Sequence, residues 1–135
     1  MTALRTALIG YGLGGRVIHR PLLQSVEGVQ LTHVVTGDPQ RREQAAADVP
    51  DAALVDSVDE LWQRADEYDA VVVVTSNEAH VPLATAAMEL GKAVVVDKPL
   101  ATTSEEAAGL VAHAQRHRGD RLCAGGRLLC STRAL

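Results

Sequence analysis

The sequence has little of several residue types, and each shortage narrows the class of protein. Aromatic residues make up only 2% of the chain and Phe is absent, so a core must be built from Val, Leu, Ile and Ala. The two cysteines, Cys123 and Cys130, have neither metal-ligand spacing nor a disulfide framework around them, and no metal site is predicted. No apolar run approaches the roughly 20 residues that cross a bilayer. The formal net charge of -4 argues against a nucleic-acid-binding surface.

The remaining composition is typical of a globular protein with a real core. Of the 135 residues, 47% are hydrophobic and 22% are charged. The first ten residues end in glycine after a short apolar run and do not have the pattern of a secretory signal. These bounds predict a soluble, cytoplasmic protein with one domain and no membrane or nucleic-acid partner.

Short β-branched runs alternate with helix-like stretches along the chain. Strands are expected at residues 3–9, 31–36, 53–55, 70–74 and 93–96, with a sixth at 122–124. Helices are expected at 16–26, 40–48, 57–65, 81–90 and 103–118. This spacing of βαβ units predicts an α/β, Rossmann-like doubly wound fold, with a mostly parallel sheet and helices on both faces. The predicted domain covers residues 1–120.

Several helix boundaries have local signals. Pro21 is expected to bend the first helix or to start a new turn. Ser57 with Glu60, and Thr103 with Glu106, have the spacing of capping boxes. Gly91 follows the fourth helix and predicts its end.

A glycine motif directly follows the first strand. Gly10, Gly12 and Gly15 match G-x-G-x-x-G, with a strand before the motif, a helix after it and a second strand about 20 residues on. The first glycine permits the tight turn, the second permits close approach of a pyrophosphate, and the third permits helix packing. Free N–H groups at the helix start also attract phosphates. We predict that this loop binds a dinucleotide, and an ordinary structural turn is the alternative; the loop residues are Gly10, Tyr11, Gly12, Leu13, Gly14 and Gly15.

The end of the second strand is expected to face the adenosine ribose of the cofactor. A carboxylate there favours the 2′-hydroxyl of NAD, whereas hydroxyl and basic residues accommodate the 2′-phosphate of NADP. Asp38 favours NAD, or simply caps a helix, whereas NADP is favoured by Thr36, Arg41 and Arg42. NADP is therefore the preferred cofactor and NAD the alternative.

Two further loops follow the fourth and fifth strands, at the strand ends where ligands bind in this architecture. The first is Thr75-Ser76-Asn77-Glu78-Ala79-His80 and the second is Asp97-Lys98-Pro99. Lys98 is a candidate for proton exchange with an alcohol oxygen during hydride transfer, if burial or a nearby cation activates it; the alternative is a surface lysine at a turn. His80 either approaches the nicotinamide edge or has a structural role.

In this order and spacing, the motifs resemble those of the Gfo/Idh/MocA oxidoreductase family. The glycine loop, Thr75-x-Asn77-x-x-His80 and Asp97-Lys98-Pro99-Leu100-Ala101 are similar to that family's G-x-G loop, T-P-N-x-x-H loop and E-K-P motif. The stretch from Gly15 to Leu23 is similar to its first helix, which contains H-x-P-L. The resemblance covers residues 3 to about 120.

The resemblance implies oxidation or reduction, with NAD or NADP, at a hydroxyl-bearing carbon of a sugar, an inositol or a related compound. It implies that Lys98 is catalytic, that Asp97 lies at the nicotinamide side, and that Pro99 is a candidate cis-proline. Ser76 stands in place of the usual proline of the T-P-N loop and leaves Asn77 in place. The cofactor-binding residues that the resemblance implies are Thr75, Ser76, Asn77, His80, Asp97, Lys98 and Pro99.

The end of the chain departs from the family pattern. Family members are more than twice as long, and their second half is an α+β substrate domain. Residues 125–135 show neither helical periodicity, nor strand alternation, nor a family motif. We hypothesise a frame shift near residues 119–123 or a truncated gene model, and the alternative is a genuine short protein with a flexible C-terminus.

The expected activity follows from this departure. Without a second domain the chain is expected to be inactive or weak, and to meet a polyol or sugar-like substrate only if that domain is supplied. The other functions considered are a dinucleotide sensor without catalysis and a subunit completed by a partner chain. The sequence leaves the substrate, the reaction direction and homo-oligomer formation open.

Overall fold

The computed structural model describes residues 2–117 and 128–130, and the described residues form six strands and five α-helices. The strands are β1 (Leu4–Ile9), β2 (Val29–Val35), β3 (Ala53–Val55), β4 (Ala70–Val73), β5 (Ala93–Val96) and β6 (Leu128–Cys130). The α-helices are α1 (Arg20–Ser25), α2 (Pro39–Asp48), α3 (Val58–Gln63), α4 (His80–Glu89) and α5 (Ser104–His117). A π-helical turn covers Gly14–His19, and 3-10 turns cover Ala65–Glu67 and Asn77–Ala79. None of these helices, within the described ranges, is long and apolar enough to cross a membrane.

The chain divides into two compact units, and the first covers residues 1–70. Its strands lie in the order β3-β2-β1 and pair in parallel. The register of β1 on β2 runs from Leu4 opposite Val29 to Ile9 opposite Val35, with a shift after Thr6. The centre of the unit is mostly aliphatic, with Ala7, Leu8, Val34, Val55 and Leu61 fully buried, but its two largest buried side chains are the tyrosines Tyr11 and Tyr68.

The second unit covers residues 71–135, and its strands follow the order β4-β5-β6. Strands β5 and β6 are parallel, with Val94 opposite Leu128 and Val96 opposite Cys130. Helix α4 packs against β5 and α5. Small side chains allow this close packing, since the buried residues of the two helices include Ala84, Ala87 and Ala114.

The local signals at the helix boundaries are confirmed. Pro21 lies in the first turn of α1, directly after a π-helical turn, so a new turn begins there as expected. The Ser57 hydroxyl accepts a hydrogen bond from the Glu60 amide at 3.2 Å, and the Thr103 hydroxyl accepts one from the Glu106 amide at 3.1 Å. Gly91 has a φ of 75°, the left-handed conformation that ends a helix.

The predicted fold class, an α/β Rossmann-like fold with a mostly parallel sheet, is confirmed. The predicted strand at 122–124 falls outside the described residues. The described sixth strand is Leu128–Cys130, within residues 121–135, where a possible sixth strand and an aberrant or truncated tail were expected. Three residues are too few to show alternation, and the strand forms through backbone pairing with β5.

Candidate functional site

The glycine loop leaves β1 through a turn whose backbone conformation favours glycine. Gly10 has a φ of 103°, and its amide donates to the carbonyl oxygen of Val35 at 3.1 Å. A Cβ placed on Gly15 would lie 2.2 Å from the Gly10 carbonyl oxygen, so a side chain there would collide with backbone. Gly15 therefore packs directly against the backbone of Gly10, the close contact for which the motif needs its third glycine.

Gly12, the middle glycine, has open space and a cation beside it. The nearest atoms to a Cβ placed on Gly12 are the guanidinium carbon and both terminal nitrogens of Arg41, all at 3.7 Å. The three equal distances mean that the guanidinium plane lies face-on over the loop. A cavity of about 210 Å³ opens here, lined by Tyr11, Gly12, Leu13, Arg16, Val17, Arg41 and Gln44. The loop thus presents bare backbone and positive charge to the same space, which suits a phosphate group.

The side chains of Thr36, Asp38 and Arg42, which follow β2, are engaged in contacts within the protein. The Thr36 side chain is buried, and its hydroxyl accepts from the Asp38 amide at 3.4 Å. The Asp38 carboxylate accepts from the Arg41 amide at 2.9 Å and so caps α2. Arg42 is paired with the Asp56 carboxylate. Within residues 2–117 and 128–130, the guanidinium of Arg41 has no such carboxylate partner.

In the second unit, His80 joins the two loops that were singled out from the sequence. Its ring is buried, with Nδ1 2.7 Å from the carbonyl oxygen of Pro99 and Nε2 3.2 Å from that of Thr75. Since a carbonyl oxygen can only accept, whichever ring nitrogen carries the proton donates it to one of the two loops. With the proton on Nδ1, His80 donates to Pro99 and so links the loop after β4, to which it belongs, to the loop after β5.

The other predicted residues of these loops lie at the surface of the second unit. Ser76, Asn77 and Lys98 are exposed, and the Asp97 amide donates to the Val73 carbonyl at 2.9 Å. The Lys98–Pro99 peptide bond is cis, as expected. Because Lys98 is exposed, the described residues do not supply the burial that was invoked to activate it.

One group of residues near the glycine loop was missed in the sequence. The Asp48 carboxylate, at the end of α2, accepts hydrogen bonds from the Tyr11 hydroxyl at 2.6 Å and from Arg16 Nε at 2.9 Å. Tyr11 was named only as a member of the loop, and Asp48 is 37 residues away from it along the chain. The sequence signal that could have identified Asp48 is an acidic residue in the last turn of a predicted helix, where the macrodipole disfavours negative charge.

Comparison with known protein families identifies a match that covers most of this chain. The family model described as "Oxidoreductase family, NAD-binding Rossmann fold" (Gfo/Idh/MocA) matches residues 4–123. The chain belongs to the Gfo/Idh/MocA family. The predicted resemblance is therefore confirmed, and the matched domain is the family's NAD-binding domain, whose ligand is a nicotinamide dinucleotide.

Relatives within the Gfo/Idh/MocA family include both uncharacterized and named enzymes. The chain is 37% identical over 112 residues to the uncharacterized oxidoreductase YdgJ of Escherichia coli, covering 83% of this chain and 31% of YdgJ. It is 33% identical to the scyllo-inositol 2-dehydrogenase (NADP(+)) IolW of Bacillus subtilis, covering 76% of this chain and 28% of IolW. The crystal structure of an NAD-binding protein from Listeria innocua superposes with a TM-score of 0.82 at 25% identity, covering 96% of this chain and 35% of that one. The chain spans about one third of the length of the relatives it matches.

Proposed function

We propose that this chain is the cofactor-binding part of a dehydrogenase that acts on a hydroxyl-bearing carbon of a polyol or sugar and prefers NADP to NAD. The position of Arg41 over Gly12 carries the proposal. Family membership supports the dinucleotide, and the name of the relative IolW, a scyllo-inositol 2-dehydrogenase that uses NADP(+), supports both the substrate class and the cofactor.

The preference for NADP rests on which cation is available beside the loop. Arg41 follows β2, the element whose end faces the adenosine ribose in this fold, and its guanidinium lies 3.7 Å from the position that a Cβ on Gly12 would take. Asp38, the residue that favours NAD, has one carboxylate oxygen committed to capping α2. Arg42 is committed to Asp56. Arg41 is thus the cation that we assign to the 2′-phosphate, since a guanidinium binds phosphate through charged hydrogen bonds.

The residues of the second unit have the roles expected around a nicotinamide. When bound, the cofactor supplies the hydride acceptor or donor. We assign to Lys98 the exchange of the alcohol proton, because an ammonium group on the exposed Asp97–Pro99 loop is free to reach a substrate oxygen. His80 is assigned to holding the Thr75 and Pro99 loops together, since both of its ring nitrogens face loop carbonyls.

Titration of the purified chain with NADPH and NADH by calorimetry tests the proposal. We expect both to bind, NADPH more tightly. Arg41→Ala is expected to weaken NADPH binding by about tenfold or more, the worth of a charged hydrogen bond, and to leave NADH binding nearly unchanged. Arg42→Ala is the matched control, because it removes a neighbouring guanidinium that is already paired.

Three outcomes would contradict parts of this proposal. If neither cofactor binds to a chain that circular dichroism shows to be folded, dinucleotide binding by this chain is refuted. If Arg41→Ala weakens NADH and NADPH equally, the assignment to the 2′-phosphate fails. If the chain binds cofactor tightly but exchanges no hydride with polyols or sugars even when the remaining part of a relative is supplied, a sensor role replaces the dehydrogenase.

A further inference from the structure

The side chain of Tyr11 anchors the glycine loop from the inside. Tyr11 lies between Gly10 and Gly12, yet it is only 1% exposed, whereas Leu13 in the same loop is 79% exposed. Its hydroxyl donates to the Asp48 carboxylate at 2.6 Å, a short distance typical of a bond to a charged acceptor. The loop is thus connected to the far end of α2 by a side chain, in addition to its backbone.

The same carboxylate oxygen holds the turn that follows the loop. Oδ2 of Asp48 accepts from Arg16 Nε at 2.9 Å, and Arg20 Nε lies 3.9 Å from it. Arg16 is the first residue after Gly15, in the π-helical turn whose start faces the loop. One carboxylate therefore fixes both sides of the glycine motif, through Tyr11 before Gly12 and through Arg16 after Gly15.

Asp48 occupies a place where an acid is disfavoured. It is the last residue of α2, next to the unpaired carbonyls and partial negative charge of the helix end. Its partners offset this cost: the hydrogen bond from Tyr11 and then that from Arg16 lower the pKa of Asp48. Burial and the same carboxylate raise the pKa of Tyr11. Near neutral pH the tyrosine therefore stays protonated as the donor and the aspartate ionised as the acceptor.

An anchor that orders a glycine-rich loop before the ligand binds is expected to increase the affinity for that ligand. Glycine loses more conformational freedom on ordering than any other residue. Gly10, Gly12, Gly14 and Gly15 all lie within six positions, and the ligand needs their backbone N–H groups in fixed directions. A loop that is already ordered binds its ligand more tightly, because little further conformational entropy is lost when the ligand binds.

We propose that Asp48 is a positioning residue for dinucleotide binding, which orders the glycine loop through Tyr11 and Arg16 before the cofactor arrives. The inference rests on the proposed function, since it assumes that the loop binds a dinucleotide. The proposal adds Asp48, the last residue of α2, to a site whose Arg41 lies in the first turn of the same helix.

The sign of one substitution separates positioning from simple electrostatics. The cofactor is an anion, so removing the negative charge of Asp48 favours its binding by Coulomb attraction alone. Positioning has the opposite sign, because Asp48→Asn keeps the shape but replaces the charged acceptor of two hydrogen bonds. We expect Asp48→Asn to weaken the binding of NADPH and NADH alike, by about tenfold.

The experiment compares Asp48→Asn, Tyr11→Phe and the control Asp69→Asn by calorimetric titration with NADPH and NADH. Asp69 is a matched carboxylate, since it accepts three hydrogen bonds from Arg5, which lies at the opposite end of β1 from the glycine loop. We expect Tyr11→Phe to weaken both cofactors and the control to stay within about twofold of the wild type, since its charge is distant and screened. The double variant Asp48→Asn with Tyr11→Phe is expected to weaken binding by less than the product of the two single effects, because both substitutions act on the same bond.

Wild-type or tighter binding by Asp48→Asn overturns the inference, as does equal weakening by the control. If Asp48→Asn does not fold, Tyr11→Phe decides by the same criteria. If the wild type binds neither cofactor, the proposed function fails, and ordering of the loop is read from amide hydrogen exchange instead. The bond from the Arg16 amide to the Gly12 carbonyl, 2.9 Å long, is then expected to open more often in Asp48→Asn and not in the control. Unchanged exchange at that amide overturns the inference.

Discussion

At the scale of single residues, the two glycines Gly12 and Gly15 of one motif differ in what surrounds them. A side chain on Gly15 would meet the Gly10 carbonyl oxygen at 2.2 Å and its carbonyl carbon at 3.1 Å, and backbone atoms cannot rotate away. The atoms nearest to a side chain on Gly12 would be those of the movable end of Arg41, at an ordinary contact distance. Gly15 is therefore required by the fold, whereas Gly12 leaves space for a ligand.

Gly15→Ala is expected to destabilise the protein by about 3 kcal/mol, at the upper end of the cost of overpacking, because the backbone at Gly10 must move. Gly109→Ala is the matched control. Gly109 is exposed within α5 with nothing within 4 Å of an added Cβ, so the same substitution there is expected to stabilise by about 1 kcal/mol through helix propensity. Urea unfolding of both variants measures the two effects. Equal effects of the same sign would show that the contact at Gly15 is relieved without cost.

At the scale of secondary-structure elements, the parts that were predictable are those with local causes. Strand β4 is an unbroken apolar run, and the caps at Ser57 and Thr103 depend on residues three positions apart. The role of Asp48 was not predictable in this way, because its partners lie 32 and 37 residues away. The position of β6 was not predictable for the same reason, since its pairing with β5 is a long-range backbone contact. The π-helical turn before α1 has no pattern of its own beyond Pro21.

The cap of α3 offers a test at this scale. Ser57→Ala removes the acceptor for the Glu60 amide and is expected to cost about 1 kcal/mol. Ser76 also stands before a helical turn, but its described side chain makes no capping bond, so Ser76→Ala is expected to change stability by less than about 0.5 kcal/mol. Thermal melting of the two variants compares them directly, and a loss of stability in Ser76→Ala as large as that in Ser57→Ala would contradict the assignment of the cap.

At the scale of the whole molecule, the few aromatic residues are unevenly distributed. Tyr11, Trp62 and Tyr68 all fall within residues 1–70, and the chain has no Phe. Tyrosinate absorbance and tryptophan fluorescence therefore report on the first unit, whereas amide circular dichroism reports on both. The unit that contains the glycine loop is for this reason measurable by itself in the intact chain.

The two tyrosines also predict how stability responds to alkali. Tyr68 is fully buried and donates to the Leu61 carbonyl at 3.0 Å, and burial, followed by the charge of Glu67, raises its pKa to about 12. A pKa that is higher in the folded than in the unfolded state contributes stability that is complete below about pH 10 and is lost as the pH rises towards about 12. For Tyr68 this loss is on the order of 2 to 3 kcal/mol.

The free energy of unfolding, measured by urea titration, is therefore expected to fall between about pH 10 and about pH 12. Tyr68→Phe is expected to be less stable at neutral pH, because its bond to Leu61 is gone, and to lose less stability across this window, because it has no group at position 68 to ionise. Tyr11 still ionises in that variant at a raised pKa, owing to burial and to its bond with Asp48, so part of the pH dependence remains. An equal fall in both proteins, or tyrosinate absorbance that develops near pH 10 while the chain is still folded, would show that the Tyr68 hydroxyl is accessible to water.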